Sequence, residues 1–244
     1  MKVKKFVLLI ILSAVALISP GFSGSAGSQG GIYLENFENT GANLFSTWKL
    51  RGDSPSAAGK VYSIKSEGGN KYLRASTAGN PEISIQIAKE VKWNLRKYPM
   101  LSWRWKADRL PVGANEESGK ANDSACGVYV VFKRKHIPLM SWDKQPINVI
   151  KYVWSSTLPA GKVIYKSPKE KMGMTYYQGI FVVQQSGRTN LGKWMTEKRN
   201  VLQDYKRFYG EYPRFDPILI AILTDSNDTN SAAEGSYDDF IISQ

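Results

Sequence analysis

The chain carries one histidine, His136, and one cysteine, Cys126. Any Ser-His-Asp or Cys-His nucleophile would have to use them, because the base in such sets is nearly always an imidazole. They flank a single apolar stretch, Gly127 to Phe132. An extended backbone at about 3.3 Å per residue holds them roughly 20 Å or more apart. A zinc site of His and Cys ligands fails for the same reason. Cys126 reads as a small apolar core residue. Carboxylate chemistry needs no histidine. Glu116, Glu117, Asp123, Glu197 and Asp225 are the pool from which a glycoside-cleaving pair could be drawn. Gly187-Arg-Thr-Asn-Leu-Gly-Lys193 opens like a phosphate-binding loop, but Trp194 stands where a Ser or Thr must reach magnesium, so it reads as a hairpin turn. The remaining chemistry is recognition. Arg104, Lys106, Asp123, Trp154 and Arg199 are the candidate ligand-binding residues, offering charge, hydrogen bonds and an aromatic face. The alternative for Trp154 is core packing. For Arg199 it is an ion pair with Glu197 or Asp204.

The element that must position the first of these is Tyr98-Pro-Met-Leu-Ser-Trp-Arg-Trp-Lys-Ala107. Leu101, Trp103, Trp105 and Ala107 alternate with Ser102, Arg104, Lys106 and Asp108, which is the period of a strand with one buried face. Two indoles on that face bury a large apolar area. The strand is expected centrally in one sheet of a sandwich, its charged face toward a concave or solvated surface. Other strands are expected at Ile32–Phe37, Trp48–Arg51, Ile83–Ile87, Gly127–Phe132, Asn148–Trp154, Val163–Tyr165, Tyr177–Gln185, Pro217–Leu223 and Phe240–Ile242. Val61–Lys65 and Tyr72–Ala75 make a hairpin about Glu67-Gly-Gly-Asn70. Arg51-Gly-Asp-Ser-Pro55 through Gly59 is turn chemistry, and Pro111–Ser124 is a long polar loop of the kind that is often functional or mobile. Lys133-Arg-Lys-His136 reads as a solvated hairpin end. One helix is expected: Asn200 caps it with Gln203 as capping-box partner, Val201, Leu202, Tyr205, Phe208 and Tyr209 form its apolar stripe, and Gly210 and Pro213 end it. The predicted fold is all-β, a two-sheet β-sandwich of jelly-roll type with one short α-helix near 200–209.

Lys2, Lys4 and Lys5 precede an apolar run from Phe6 to Ile18, then Pro20-Gly21 and Gly24-Ser25-Ala26. This is the layout of a secretory signal peptide over 1–26, and the run is too short to span a bilayer comfortably. The reading is an exported protein, periplasmic or secreted, with a disordered linker at 27–31 and one domain over 32–244. One cysteine allows no intramolecular disulfide, and a domain of this size does not need one. The formal net charge is +12. A basic surface favours acidic glycans, anionic headgroups or nucleic acid.

Tyr98-Pro-Met-Leu-Ser-Trp-Arg-Trp-Lys106, Asn122-Asp-Ser-Ala-Cys-Gly-Val-Tyr-Val-Val-Phe132 and Ile150-Lys-Tyr-Val-Trp-Ser155 together resemble the domain of unknown function 3047 family of exported bacterial proteins. So do Gly192 through Phe208 and Leu223-Thr-Asp-Ser-Asn-Asp-Thr229. The resemblance runs from about Phe37 to the end and departs from the family pattern at Asn122 and Cys126-Gly127. It implies a galactose-binding-like jelly roll, the fold of many carbohydrate-binding modules, and with it a structural calcium joining first and last strands. The corresponding acids here are Glu35, Glu38 and Asp239. The expectation is a non-catalytic protein that binds a polysaccharide or another anionic envelope component, with no nucleic-acid partner. The alternatives are a carboxylate-dependent glycan-acting enzyme and a structural envelope-interaction protein.

Overall fold

The computed structural model describes residues 31–40, 44–51, 55–138, 140, 145–171 and 173–244. The expected leader at 1–26 lies outside the described residues, as does the linker at 27–31 up to residue 30. In chain order the elements are β1 (Ile32–Glu35), α1 (Leu44–Thr47), β2 (Lys49–Arg51), α2 (Pro55–Val61), β3 (Tyr62–Glu67), β4 (Asn70–Ser76), β5 (Gln86–Glu90), β6 (Met100–Arg109) and β7 (Ser124–Lys133). Then follow β8 (Ile147–Ser155), β9 (Val163–Tyr165), β10 (Lys169–Lys171), β11 (Met174–Ser186), β12 (Met195–Asn200), α3 (Val201–Tyr209), β13 (Pro217–Asp225) and β14 (Glu234–Ser243).

The strands form two sheets. The six-stranded sheet runs β12-β6-β14-β4-β3, with β1 also on β14. The eight-stranded sheet runs β10-β11-β8-β7-β13-β5-β2, with β9 also on β11. The expected all-β sandwich is what forms. β6 lies between β12 and β14, with Leu101, Trp103, Trp105 and Ala107 fully buried. Their rings meet those of the other sheet: Trp103 lies 5.1 Å from Tyr152 and Trp105 lies 6.1 Å from Trp154, centroid to centroid. This aromatic layer is the centre of the inter-sheet core.

All pairs are antiparallel except β8 with β11, which is parallel. A parallel pair requires a crossover. Here the chain after Ser155 folds back on the far edge of β11, where Val163–Tyr165 and Lys169–Lys171 pair as β9 and β10. The β3–β4 hairpin turns on Gly68 and Gly69, whose φ values of +60° and +87° suit a tight primed turn. α3 forms as expected. The Asn200 side chain accepts from the Gln203 N–H at 3.0 Å, and Gly210 ends the helix in the left-handed region.

Several expectations need correction. Pro55–Val61 is helical, not turn. Proline suits a first helical position, and Ala57-Ala58 then favours propagation. Strand pairing begins at Gln86, although Ile83 and Ile85 are buried. β10 and β12 were not expected; both are short and charged, and β12 is an edge strand. α1 and α2 add to the one helix foreseen. Among the described residues no helix is long and apolar enough to cross a membrane.

A candidate ligand site at one end of the larger sheet

β8 has two buried faces. Ile150, Tyr152 and Trp154 point into the inter-sheet core. Val149 and Val153 point to the outer face of the larger sheet, where they join two further apolar clusters. Lys151 stands between them on that outer face. Its cross-strand partners are Tyr129 on β7 and Phe181 on β11. Its ammonium lies 5.2 Å from the Tyr129 ring centre and 4.9 Å from that of Phe181. Its stem passes over Gly127, where a Cβ would come within 2.7 Å of the Lys151 Cε. A glycine at that position is what lets the side chain lie along the sheet.

The amine thereby reaches the end of the sheet where β7 begins and β8 and β13 finish. Lys151 Nζ donates to Ser124 Oγ at 3.0 Å. Around it stand Glu116 from the 111–123 loop and Asp225 from the end of β13. Lys151 is 1% exposed, Glu116 0% and Asp225 8%. No carboxylate lies within ion-pairing distance of Lys151 among the described residues. Burying a lysine without a direct counter-ion is costly. Burial lowers the pKa of Lys151 against the opposing pull of Glu116 and Asp225. Burial likewise raises the carboxyls of Glu116 and Asp225, and the nearby lysine only partly offsets it. Glu116 accepts from Ser155 Oγ at 2.5 Å through Oε2. Its Oε1, the Oδ1 of Asp225 and the Oδ1 of Asn122 are buried with no hydrogen-bond partner among the described residues.

The Pro111–Ser124 segment, expected to be a polar loop of the kind that is often functional or mobile, is pinned. Ser156 Oγ donates to Pro111 O at 2.8 Å and Thr157 Oγ1 to Ala114 O at 2.7 Å. Asp123 fixes the neighbouring turn, accepting from the Thr229 N–H at 2.7 Å and its hydroxyl at 2.6 Å. Against this loop and the crossover lies a cleft of about 480 Å³, lined by Glu117, Asn122, Tyr165, Lys166, Tyr177 and Phe181 among others. Lys166 Nζ donates to Glu116 O at 2.7 Å. Tyr165 is largely exposed, and the Tyr177 ring lies over Gly179, where a Cβ would meet it. Burial pushes the Tyr177 phenol up to about 12. A larger opening of about 780 Å³ sits at the opposite end of β7, beside Trp93, Lys133 and Asp216. There Asp216 is occupied by the Leu95 N–H at 2.9 Å. The smaller cleft lies over the unusual chemistry.

The residues expected to bind ligand do not converge. Arg104 and Lys106 lie on the outer face of the smaller sheet, the ammonium and guanidinium set against Trp194 at 5.5 and 4.9 Å, with Arg104 paired to Asp239 at 3.0 Å. Trp154 is fully buried in the core, its Nε1 donating to Gly187 O at 3.2 Å. Arg199 faces inward at the sandwich edge and holds Asp204 through two bonds of 2.9 and 2.6 Å, and Asp204 also accepts from Tyr152. Of the five, only Asp123 lies at the buried cluster, where it anchors a turn. Of the carboxylate pool, Glu197 sits elsewhere, accepting from Trp105 Nε1 and Gln185, and Glu117 pairs with Lys162 at 2.9 Å.

Glu35, Glu38 and Asp239 do not fit a calcium ion. Glu35 accepts from Phe37 N and Thr40 through one oxygen and from Trp48 Nε1 and Lys89 through the other. Burial raises the Glu35 carboxyl, but these donors outweigh it and leave the pKa lowered. Glu38 accepts from the Lys71 N–H, and Asp239 belongs to Arg104. Among the described residues no cluster of three or more acidic, Cys or His side chains is disposed to hold a metal.

The chain belongs to the family described as "Protein of unknown function (DUF3047)", whose pattern matches residues 46–241. Among curated proteins no sequence matches it. Three solved structures illustrate what it is similar to in layout. The family 11 carbohydrate-binding module of the cellulosomal cellulase Lic26A-Cel5E of Clostridium thermocellum is 10% identical at a TM-score of 0.43, over 87% of this chain and 94% of that one. The xyloglucanase domain of NopAA, a type three effector from Sinorhizobium fredii solved with cellobiose, is 12% identical at 0.40, over 81% and 93%. A family 12 xyloglucanase from Bacillus licheniformis is 10% identical at 0.38, over 88% and 97%. At such identities and scores the likeness is one of general layout and says nothing of a site.

Proposed function

We propose that the protein binds a carbohydrate in the cleft formed by the 111–123 loop, the crossover and β11. The observation that carries this reading is the lining of the cleft, which sets Tyr165, Tyr177 and Phe181 beside Asn122, Lys166 and Lys169. Beneath that lining Glu116 Oε1, Asn122 Oδ1 and Asp225 Oδ1 are buried without a hydrogen-bond partner among the described residues, and Lys151 donates to Ser124. A ligand with adjacent hydroxyls suits such a lining, since a hydroxyl both donates to an oxygen and accepts from an amine, and Asn122, Lys166 and Lys169 offer polar groups along it. The rings of Tyr165, Tyr177 and Phe181 along the same cleft supply apolar faces for a pyranose. Binding of soluble neutral and acidic polysaccharides to the full chain, followed by affinity electrophoresis and calorimetry, tests it. Asn122→Ala and Tyr165→Ala should each weaken binding roughly threefold to tenfold. Unchanged affinity in both variants would move the site elsewhere, and no binding across the panel would remove the reading.

A carboxylate-dependent glycan-cleaving enzyme is the second reading. It is favoured by the burial that raises the carboxyls of Glu116 and Asp225, since the general acid of glycoside cleavage is a carboxyl whose pKa is raised. Release of reducing ends in the same incubations, abolished in Glu116→Gln, would support it over simple binding.

A further inference from the structure

Three lysines converge on the two aromatic rings of β11 at the cleft. Lys151 and Lys166 place their ammonium groups 4.9 and 5.3 Å from the Phe181 ring centre. Lys169 places its own 5.5 Å from the Tyr177 ring centre. None of the three makes an ion pair within 4 Å among the described residues. Acids stand nearby without pairing to them: Glu116 accepts from Ser155 through one oxygen, Glu117 pairs with Lys162, Asp228 accepts from the Asn122 N–H, and Asp225 and Glu116 each keep one buried oxygen without a partner among the described residues. We propose that the ligand in this cleft is an acidic glycan, its oxyanion held by Lys166 and Lys169.

The proposal rests on the carbohydrate-binding reading and adds the class of sugar. Two lysines sharing one aromatic ring repel each other, and an anion between the chain's amines and solvent relieves that repulsion. The direction of the Lys166 pKa agrees: burial lowers it first, and the charge of Lys151 lowers it further. The aromatic face serves the sugar ring while the half-buried Lys166 and exposed Lys169 reach its substituent. A sugar carboxylate and a sugar sulfate present the same oxyanion chemistry, so the two are told apart by experiment.

The experiment uses the full chain with polygalacturonate, polyglucuronate and dextran sulfate, against the carboxyl-reduced form of each polyuronate and plain dextran. The acidic polymers, or one chemical type of them, should bind at least roughly tenfold more tightly than their neutral counterparts. That preference should shrink as salt rises from 50 to 300 mM, as ion-mediated binding does. Lys166→Gln and Lys169→Gln should each abolish most of the preference, and Lys97→Gln should change nothing. Binding of polyuronates assigns the oxyanion to a carboxylate, and binding of dextran sulfate alone assigns it to a sulfate. Equal affinity for acidic and neutral forms, or a preference untouched by both variants, would overturn the proposal while leaving carbohydrate binding in place. Failure of every polymer to bind would overturn both. Lys169 is exposed, so its variant keeps the test decisive even if Lys166→Gln is less stable.

Discussion

Lys151 is the residue on which the site turns, and its position was legible in principle. In Ile147-Asn-Val-Ile-Lys-Tyr-Val-Trp154 both alternating sets are apolar apart from one Asn and one Lys. A strand covered on both faces reads this way, and a lysine within it must be buried. Its surroundings are not legible, because Glu116 and Ser124 come from one distant segment and Asp225 from another. Trp154 illustrates the opposite error: its type suggested a sugar platform, but it falls on the face that also carries Ile150 and Tyr152, and that face is core. Gly127 offers the test at this scale. Alanine there would place a methyl 2.7 Å from Lys151 Cε and 3.2 Å from the Leu223 carbonyl. The lysine end can shift more readily than the backbone. Gly127→Ala should therefore cost a modest amount, about 1–3 kcal/mol in a urea titration, while weakening ligand binding more than tenfold as the amine leaves Ser124. A variant that is destabilised but binds normally would show that the position of the amine is irrelevant.

Among the elements, those with a clean period were legible. β6, the β3–β4 hairpin and α3 follow from spacing and cap chemistry, because each is specified by neighbours in sequence. β12 was not, since Met195-Thr-Glu-Lys-Arg-Asn200 has no apolar alternation and becomes a strand only because β6 offers it an edge. Pro111–Ser124 reads as a long polar loop, yet Glu116 and Asp123 are buried, held by hydrogen bonds to β8 and to the 228–229 turn that composition does not reveal. The two sheets approach closely at Gly235. A Cβ on Gly235 of β14 would come within 2.7 Å of the Ala125 carbonyl and 2.5 Å of Cys126 Sγ on β7. Tyr237 spans the same gap, donating to Leu223 O at 3.1 Å and accepting from the Gly127 N–H at 3.2 Å. Backbone cannot yield as a side-chain end can, so Gly235→Ala should be the costlier glycine substitution, above roughly 3 kcal/mol. Comparison of its denaturation midpoint with that of Gly127→Ala checks the order, and a smaller loss at 235 would mean that the sheets separate easily.

At the scale of the whole molecule, the buried lysine makes stability depend on pH in a direction that can be worked out. Lys151 faces Glu116 and Asp123 from the loop, Asp225 from β13, Tyr129 from β7, Tyr177 from β11 and Lys166 beyond β9. Its folded pKa is depressed below the ordinary 10.5, with burial as the main cause. Between that folded value and 10.5 the unfolded chain holds a proton that the folded chain has shed. Stability then rises with pH, with a slope of at most about 1.4 kcal/mol per pH unit for this one proton. Glu116 and Asp225 act oppositely: burial raises their folded pKa values, so their contribution is full below the ordinary 4.5 and 3.8 and is lost as pH climbs through the folded values. The tyrosines titrate above the window because burial pushes them up. Lys151→Met keeps the length of the side chain and removes the proton. Urea denaturation of wild type and variant from pH 7 to pH 10 should therefore show wild type gaining on the variant as pH rises, because most other titrations cancel in the difference. Parallel curves across that range would mean that Lys151 keeps its ordinary pKa in the folded protein, and the strained amine at the centre of the proposed site would have to be abandoned.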